Sequence, residues 1–237
     1  MNGLRASIVE VETLASRLTA GAPPRCTIAI CPPATLLNAM NRIAAPAGIL
    51  LGGQDCHPAA SGAHTGDLAA TMLADAGAQL VIVGHSERRT DHAETDEMVR
   101  NKALAGLAAG LTPIICIGET RAEREAGQAD AVCARQLLGS VPDQAAHDDV
   151  VIAYEPVWAI GTGLTPTAAD IAQMHNSLRQ QLISRFGSRG ETIRILYGGS
   201  LKPANAKEIL AIPNVNGGLV GGASLLADDF FAIISAA

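Results

Sequence analysis

The sequence predicts an α/β chain wound as a (β/α)8 barrel that lacks its first β-strand. Three observations carry that expectation. Short apolar runs recur along the 237 residues, continuous rather than alternating, as in parallel strands buried on both faces. Each run is followed by a polar or glycine-rich turn and then by helical periodicity. The count is uneven, with seven strands against eight helices, and the unpaired element is the first helix.

That helix is marked by Leu4, Ile8, Val11, Leu14 and Leu18, one apolar stripe at helical spacing. Strands are then expected at CTIAIC (26–31), GILLGG (48–53), LVIVGH (80–85), TPIICIG (112–118), VVIAYEP (150–156), TIRILYGG (192–199) and GGLVGG (217–222). The clearest helices fall at 34–45, 95–109, 121–138 and 167–186, with weaker ones near 68–77, 203–211 and 226–236. Thr165-Pro166-Thr167 and Lys202-Pro203 are helix-start signals. No low-complexity stretch or linker interrupts the alternation, so residues 1–237 are expected to form a single domain. A barrel of this kind runs to about 250 residues, and one strand placed before Met1 would bring the chain close to that length. An open, doubly wound sheet is the competing architecture. The first strands carry no glycine-rich dinucleotide turn, which counts against its nucleotide-binding versions.

Composition narrows the function. Hydrophobic residues make up 48% of the chain and charged ones 17%, enough apolar material for a large core. Net charge is −6, with lysine only at 102, 202 and 207. No basic stripe tracks a phosphodiester backbone, so nucleic acid is not an expected partner. A bound anion would be held by backbone N–H groups and helix ends. Cys26, Cys31, Cys56, Cys116 and Cys133 form no CxxC pair, which fits a reducing cytosol. No signal segment or membrane-length apolar run is present, and a cytoplasmic location is expected.

In a (β/α) barrel the chemistry stands at the C-terminal ends of the strands. Those positions hold Gln54, His85-Ser86-Glu87, Glu119, Glu155, Ser200 and Gly221-Gly222. Glu155 follows an apolar strand and precedes a proline, conditions that desolvate a carboxylate and suit it to general-base work. A rim glutamate paired with an arginine would read the same way. The AIGTG tail behind it is a small-residue loop able to close over a ligand and offer an N–H to an anion. His85 ends its strand where a helical turn can begin. The helix dipole there would keep the ring neutral, able to donate to a carbonyl oxygen where charge develops. A buried histidine satisfied by a neighbour is the alternative. His57, His64, His92, His147 and His175 show no pattern, and no histidine–carboxylate spacing suggests a metal. YGGS (197–200) and GLVGGAS (218–224) end the last two strands and together resemble a phosphate cradle. Base, electrophile, lid and cradle fit proton abstraction next to a carbonyl on a small phosphorylated substrate.

These segments carry a resemblance. AYEPVWAIGTG (153–163), GHSERR (84–89), CIGE (116–119), YGGSLKP (197–203), GLVGGAS and QDCHPAASGAHTGD (54–67) resemble the triosephosphate isomerase family, in order and across the whole chain. The resemblance implies a TIM barrel, a cytoplasmic homodimer and interconversion of dihydroxyacetone phosphate and D-glyceraldehyde 3-phosphate in glycolysis and gluconeogenesis, without cofactor or metal. Glu155 then resembles the base and His85 the electrophile, roles this family is commonly used to illustrate. Gly161 resembles the lid residue on the phosphate, and Ser200, Gly221 and Gly222 the other phosphate contacts. Glu87 and Cys116 match supporting positions, and Thr65 the loop that reaches a neighbouring subunit in family dimers. Family members also run through an N-terminal strand into an N-W-K-M-N-G motif, and this chain begins at its methionine. The catalytic asparagine and lysine of that motif have no counterpart here. The leading expectation is therefore an isomerase whose chain starts late. A catalytically impaired barrel that binds phosphorylated ligands without turnover is the alternative, and the AYEPVWAIGTG lid argues against another phosphosugar isomerase or epimerase.

Overall fold

The structure is a computed structural model, and it describes residues 1–21, 24–160 and 166–237. Six parallel strands follow one another in chain order: β1 (Ala29–Ile30), β2 (Leu50–Gly53), β3 (Leu80–Val83), β4 (Thr112–Ile117), β5 (Val151–Tyr154) and β6 (Arg194–Tyr197). Helical crossovers return the chain after each strand, which is the winding of a (β/α) barrel.

Along β3, β4 and β5 successive side chains enter two different apolar clusters. Leu80, Ile82, Ile114, Cys116, Val151 and Ala153 meet inside the curve of the sheet. Val81, Val83, Ile115, Ile117, Ile152 and Tyr154 pack outward against the helices. Both faces are therefore apolar, and this is why the runs read as continuous. Ala29, Cys31, Leu50, Leu196 and Leu219 also pack against the inner cluster, so both ends of the sheet bend toward it. Each fully buried Leu, Ile or Val contributes about 1.5–3 kcal/mol to this arrangement.

The helices are α1 (Ile8–Ala20), α2 (Ala34–Ala44), α3 (Ala70–Asp75), α4 (Ser86–Asp91), α5 (Asp96–Ala108), α6 (Arg121–Glu125), α7 (Ala129–Ser140), α8 (Ala168–Phe186), α9 (Ser188–Thr192), α10 (Ala206–Leu210) and α11 (Ala227–Ile234). In α1 the predicted stripe is buried at Val11, Leu14 and Leu18, whereas Leu4 lies exposed ahead of a short 3-10 turn.

Three expectations need correction. The helix read over 121–138 is two helices. Gly127, at φ +71°, adopts the left-handed region that ends α6, and α7 starts afresh at Ala129. The seventh strand, read at 217–222, contracts to one parallel bridge between Tyr197 and Gly218. Four of its six residues are glycines, which pack poorly and cost entropy in a strand. β1 is likewise only two residues long, because CTIAIC pairs on one side alone among the described residues. Of the helix-start signal at 165–167, Thr165 lies outside the described residues. Thr167 caps α8, its Oγ accepting from the Asp170 N–H while the Asp170 carboxylate accepts from the Thr167 N–H.

Candidate active site

β5 ends at Tyr154, but the ladder does not stop there. The Glu155 N–H donates to the Ile117 carbonyl at 2.8 Å and the Val157 N–H to the Glu119 carbonyl at 3.2 Å. This places Glu155 on a rigid strand end with its side chain 2% exposed. A buried carboxylate must be satisfied, and three donors do so. The Ser86 N–H reaches Oε2 at 2.9 Å, the Ser86 hydroxyl reaches Oε1 at 3.4 Å, and His85 Nε2 stands 2.8 Å from Oε1. Two glycines make room for it. A Cβ on Gly198 would stand 2.9 Å from Glu155 Cγ, and one on Gly118 would stand 1.7 Å from the Glu155 carbonyl oxygen.

His85 leaves the end of β3 and caps α4, where the Glu87 N–H donates to its Nδ1 at 3.3 Å. That contact leaves the ring proton on Nε2, facing Glu155. Burial lowers the basicity of the ring, but the hydrogen bond and charge of Glu155, with the charge of Glu87, outweigh it and raise the His85 pKa above its ordinary value. The helical turn expected after His85 is present. On the basicity of the ring the dipole of this six-residue helix is opposed by the Glu155 carboxylate, 2.8 Å away.

The supporting positions separate. Cys116 is fully buried on β4, and burial together with the adjacent Glu155 carboxylate pushes its thiol pKa well up, so it stays protonated. Glu87 is mostly exposed, its Oε2 3.8 Å from His85 Nδ1. Ser200 is half-buried and follows β6. The Tyr197–Gly218 bridge sets its loop beside the one carrying Gly221 and Gly222. Both glycines are exposed, and a Cβ added to either meets nothing within 4 Å, so packing within this chain does not require glycine there. Gly161 lies outside the described residues. Thr65 is exposed on the 54–67 loop.

None of the three lysines stands beside Glu155. Lys102 is buried with Asp55 at 2.7 Å and Glu94 at 2.5 Å, and Lys202 and Lys207 are exposed. Sequence reading passed over His57, His64 and Asp67, whose ligand-capable atoms lie within 4.8 Å of one another. The Ala59 N–H donates to His57 Nδ1 at 3.0 Å, leaving the other ring nitrogen protonated and 3.8 Å from Asp67. Backbone hydrogen bonds close the loop that carries them, from the Asp67 N–H to the His64 carbonyl at 3.0 Å and from the His57 N–H to the Leu68 carbonyl at 2.8 Å. Glu119 was noted only as a strand-end residue. Fully buried, it receives the Trp158 indole N–H at 2.8 Å and the Tyr154 hydroxyl at 3.2 Å, and Arg124 stands 3.4 Å away. Among the described residues no helix is long and apolar enough to cross a membrane.

A parallel sheet wound in chain order, with a buried carboxylate against an imidazole at its C-terminal edge, is the architecture of a barrel enzyme equipped for acid–base chemistry. The triosephosphate isomerase family model matches residues 1–237. A triosephosphate isomerase of Ruegeria pomeroyi is 60% identical, covering 100% of this chain and 93% of that protein. One of Afipia carboxidovorans is 59% identical over 100% and 94%. The crystal structure of triosephosphate isomerase from Bartonella henselae superposes with a TM-score of 0.91 at 46% identity, covering 100% of this chain and 94% of that one. The chain belongs to the triosephosphate isomerase family and has its TIM-barrel fold.

Proposed function

We propose that this chain interconverts dihydroxyacetone phosphate and D-glyceraldehyde 3-phosphate through an enediolate. The observation that carries the reading is the pair of buried Glu155 and half-buried His85, 2.8 Å apart at the ends of β5 and β3. The Glu155 carboxylate removes a proton from the carbon beside the carbonyl and returns it to the neighbouring carbon. The His85 Nε2–H donates to the carbonyl oxygen as negative charge gathers on it. Glu155 must first exchange its Ser86 and His85 contacts for substrate. Ser200, Gly221, Gly222 and the lid residue Gly161 hold the phosphate through backbone N–H groups. Glu87 and Cys116 support His85 and Glu155 from either side.

The same family reading proposes one domain over 1–237, a homodimer reached through the Thr65 loop, and a cytoplasmic place in glycolysis and gluconeogenesis. One domain is supported by a core cluster that includes both Val11 and Ile234.

The test is an isomerase assay of the chain beside Glu155→Gln. Turnover is expected to fall by at least about 10³-fold in the variant while inorganic phosphate still binds. An unchanged kcat would remove Glu155 from the role of base. The engagement of Lys102 with Asp55 and Glu94 favours one second reading, a barrel that binds phosphorylated ligands with little turnover. Phosphate binding without measurable isomerisation by the unaltered chain would establish it.

A further inference from the structure

β3 and β4 pair as far as Val83 and Ile115, after which β3 turns away at Gly84, in the left-handed region at φ +67°. β4 continues alone toward Glu119. On its other side Ile117 and Glu119 still accept from the Glu155 and Val157 N–H groups. Peptide groups alternate along a strand, so the N–H and C=O of Gly118 point to the side that β3 has left. Unpaired at that depth, both groups would forfeit the hydrogen bonds that water gives them in the unfolded chain.

A side chain pairs with both. Gln136 of α7 accepts from the Gly118 N–H through Oε1 at 2.7 Å and donates to the Gly118 carbonyl through Nε2 at 3.1 Å. Its neighbours on the same helical face hold the same region. The Cys133 thiol reaches Glu119 at 3.7 Å, and the Ser140 hydroxyl accepts from Arg89, which also donates to the carbonyls of Gly84 and Cys116. A cavity of about 170 Å³, lined in part by Gln136, Gly118, Ser86 and Glu155, lies beside this clamp. Hydrogen bonding rather than close packing therefore fixes the Gly118 peptide on that side. The backbone of Glu155 rests directly on it, leaving no space for even a Cβ.

We propose that Gln136 is a positioning residue for Glu155: its amide replaces the strand that β3 ceases to supply and fixes the peptide on which the Glu155 backbone is seated. The proposal rests on Glu155 being the base. Without the clamp the Gly118 peptide shifts toward the cavity, and Glu155 leaves its place against His85.

The experiment compares Gln136→Met, which keeps length and loses both hydrogen bonds, with Leu137→Ala, a cavity in the same helix away from the clamp. Two quantities are read: kcat and KM of isomerisation, and the titration of the His85 ring by NMR. Gln136→Met is expected to lower kcat about 10-fold with KM within about twofold. Its His85 midpoint is expected to fall toward the ordinary imidazole value as Glu155 withdraws. Leu137→Ala is expected to lower Tm and leave both readouts in place. If Gln136→Met fails to fold, Gln136→Asn carries the test with smaller shifts of the same sign. Unchanged kcat and His85 titration in the Gln136 variants overturn the proposal, as do equal shifts in Leu137→Ala. Glu155→Gln, assayed alongside, separates the two failures. If it keeps its kcat the base is misassigned, whereas the His85 titration still reads the clamp.

Discussion

Glu155 is a carboxyl group with its side chain only 2% exposed, and the groups around it are arranged to donate to it. The Ser86 N–H and His85 ring approach within 2.9 Å, and Gly198 and Gly118 give up side chains to admit it. The raised pKa of His85 is the other half of this contact. Glu155→Gln should therefore lower the His85 midpoint, read from the ring proton shifts. A midpoint that stays raised would mean that Glu87 alone sustains it. At the phosphate loops, Gly222→Asp should raise KM several-fold by bringing a carboxylate to the cradle, while phosphate addition no longer protects the fold. Unaltered KM and phosphate protection would move the cradle elsewhere. Glu155 and His85 were legible in the sequence as candidates because each ends an apolar run, the position at which a barrel carries its chemistry. Gln136 was not. A glutamine inside a helix leaves no periodic mark, and its partner stands 18 residues earlier in the chain.

At the level of elements, the strand runs were legible because burial on both faces writes itself as uninterrupted apolar sequence. Their ends were less so. Nothing in CTIAIC announces that only Ala29 and Ile30 pair, since pairing depends on a neighbour and not on composition. The ties between elements were also invisible, being made by charges distant in sequence. Asp55, at the root of the 54–67 loop, meets Lys102 of α5 and Arg88 of α4, and both cations also hold Glu94. Burial raises the pKa of Asp55 despite Lys102. For Glu94 burial also acts upward, but Lys102 and Arg88 prevail and its pKa falls. Lys102→Met would leave two carboxylates against one arginine. It should cost about 3–5 kcal/mol in urea unfolding, the range for a buried pair broken on one side. A loss below about 1 kcal/mol would show that solvent reaches the cluster.

Across the whole molecule, one buried group links stability to pH. His175 of α8 is fully buried, its Nδ1 3.0 Å from the Asn214 carbonyl, its Nε2 without a hydrogen-bond partner among the described residues. Burial, helped by the Arg179 charge, lowers its pKa to about 4 although the Asn214 bond opposes this. The unfolded chain takes up this proton near pH 6.5 and the folded one only near pH 4, so the contribution is fully present above pH 6.5 and is lost as pH falls toward 4. The loss should reach about 3 kcal/mol, at roughly 1.4 kcal/mol per pH unit. The difference in unfolding free energy between the chain and His175→Gln, measured from pH 7 to 4, isolates it from the carboxylates. A constant difference would mean that His175 takes up its proton at the same pH in the folded chain as in the unfolded one.

The order of the strands has a consequence for how the chain is made. Every residue paired between the six strands finds its partner between 21 residues further on, as Ala29 finds Leu50, and 43, as Val151 finds Arg194. Among the described residues no strand waits for one encoded far away, and loop closure costs grow only slowly over such lengths. Each strand can dock as it leaves the ribosome, onto an edge that is already built. The growing edge is then covered by the strand synthesised next, while the outer edge of β1 stays without a strand partner among the described residues.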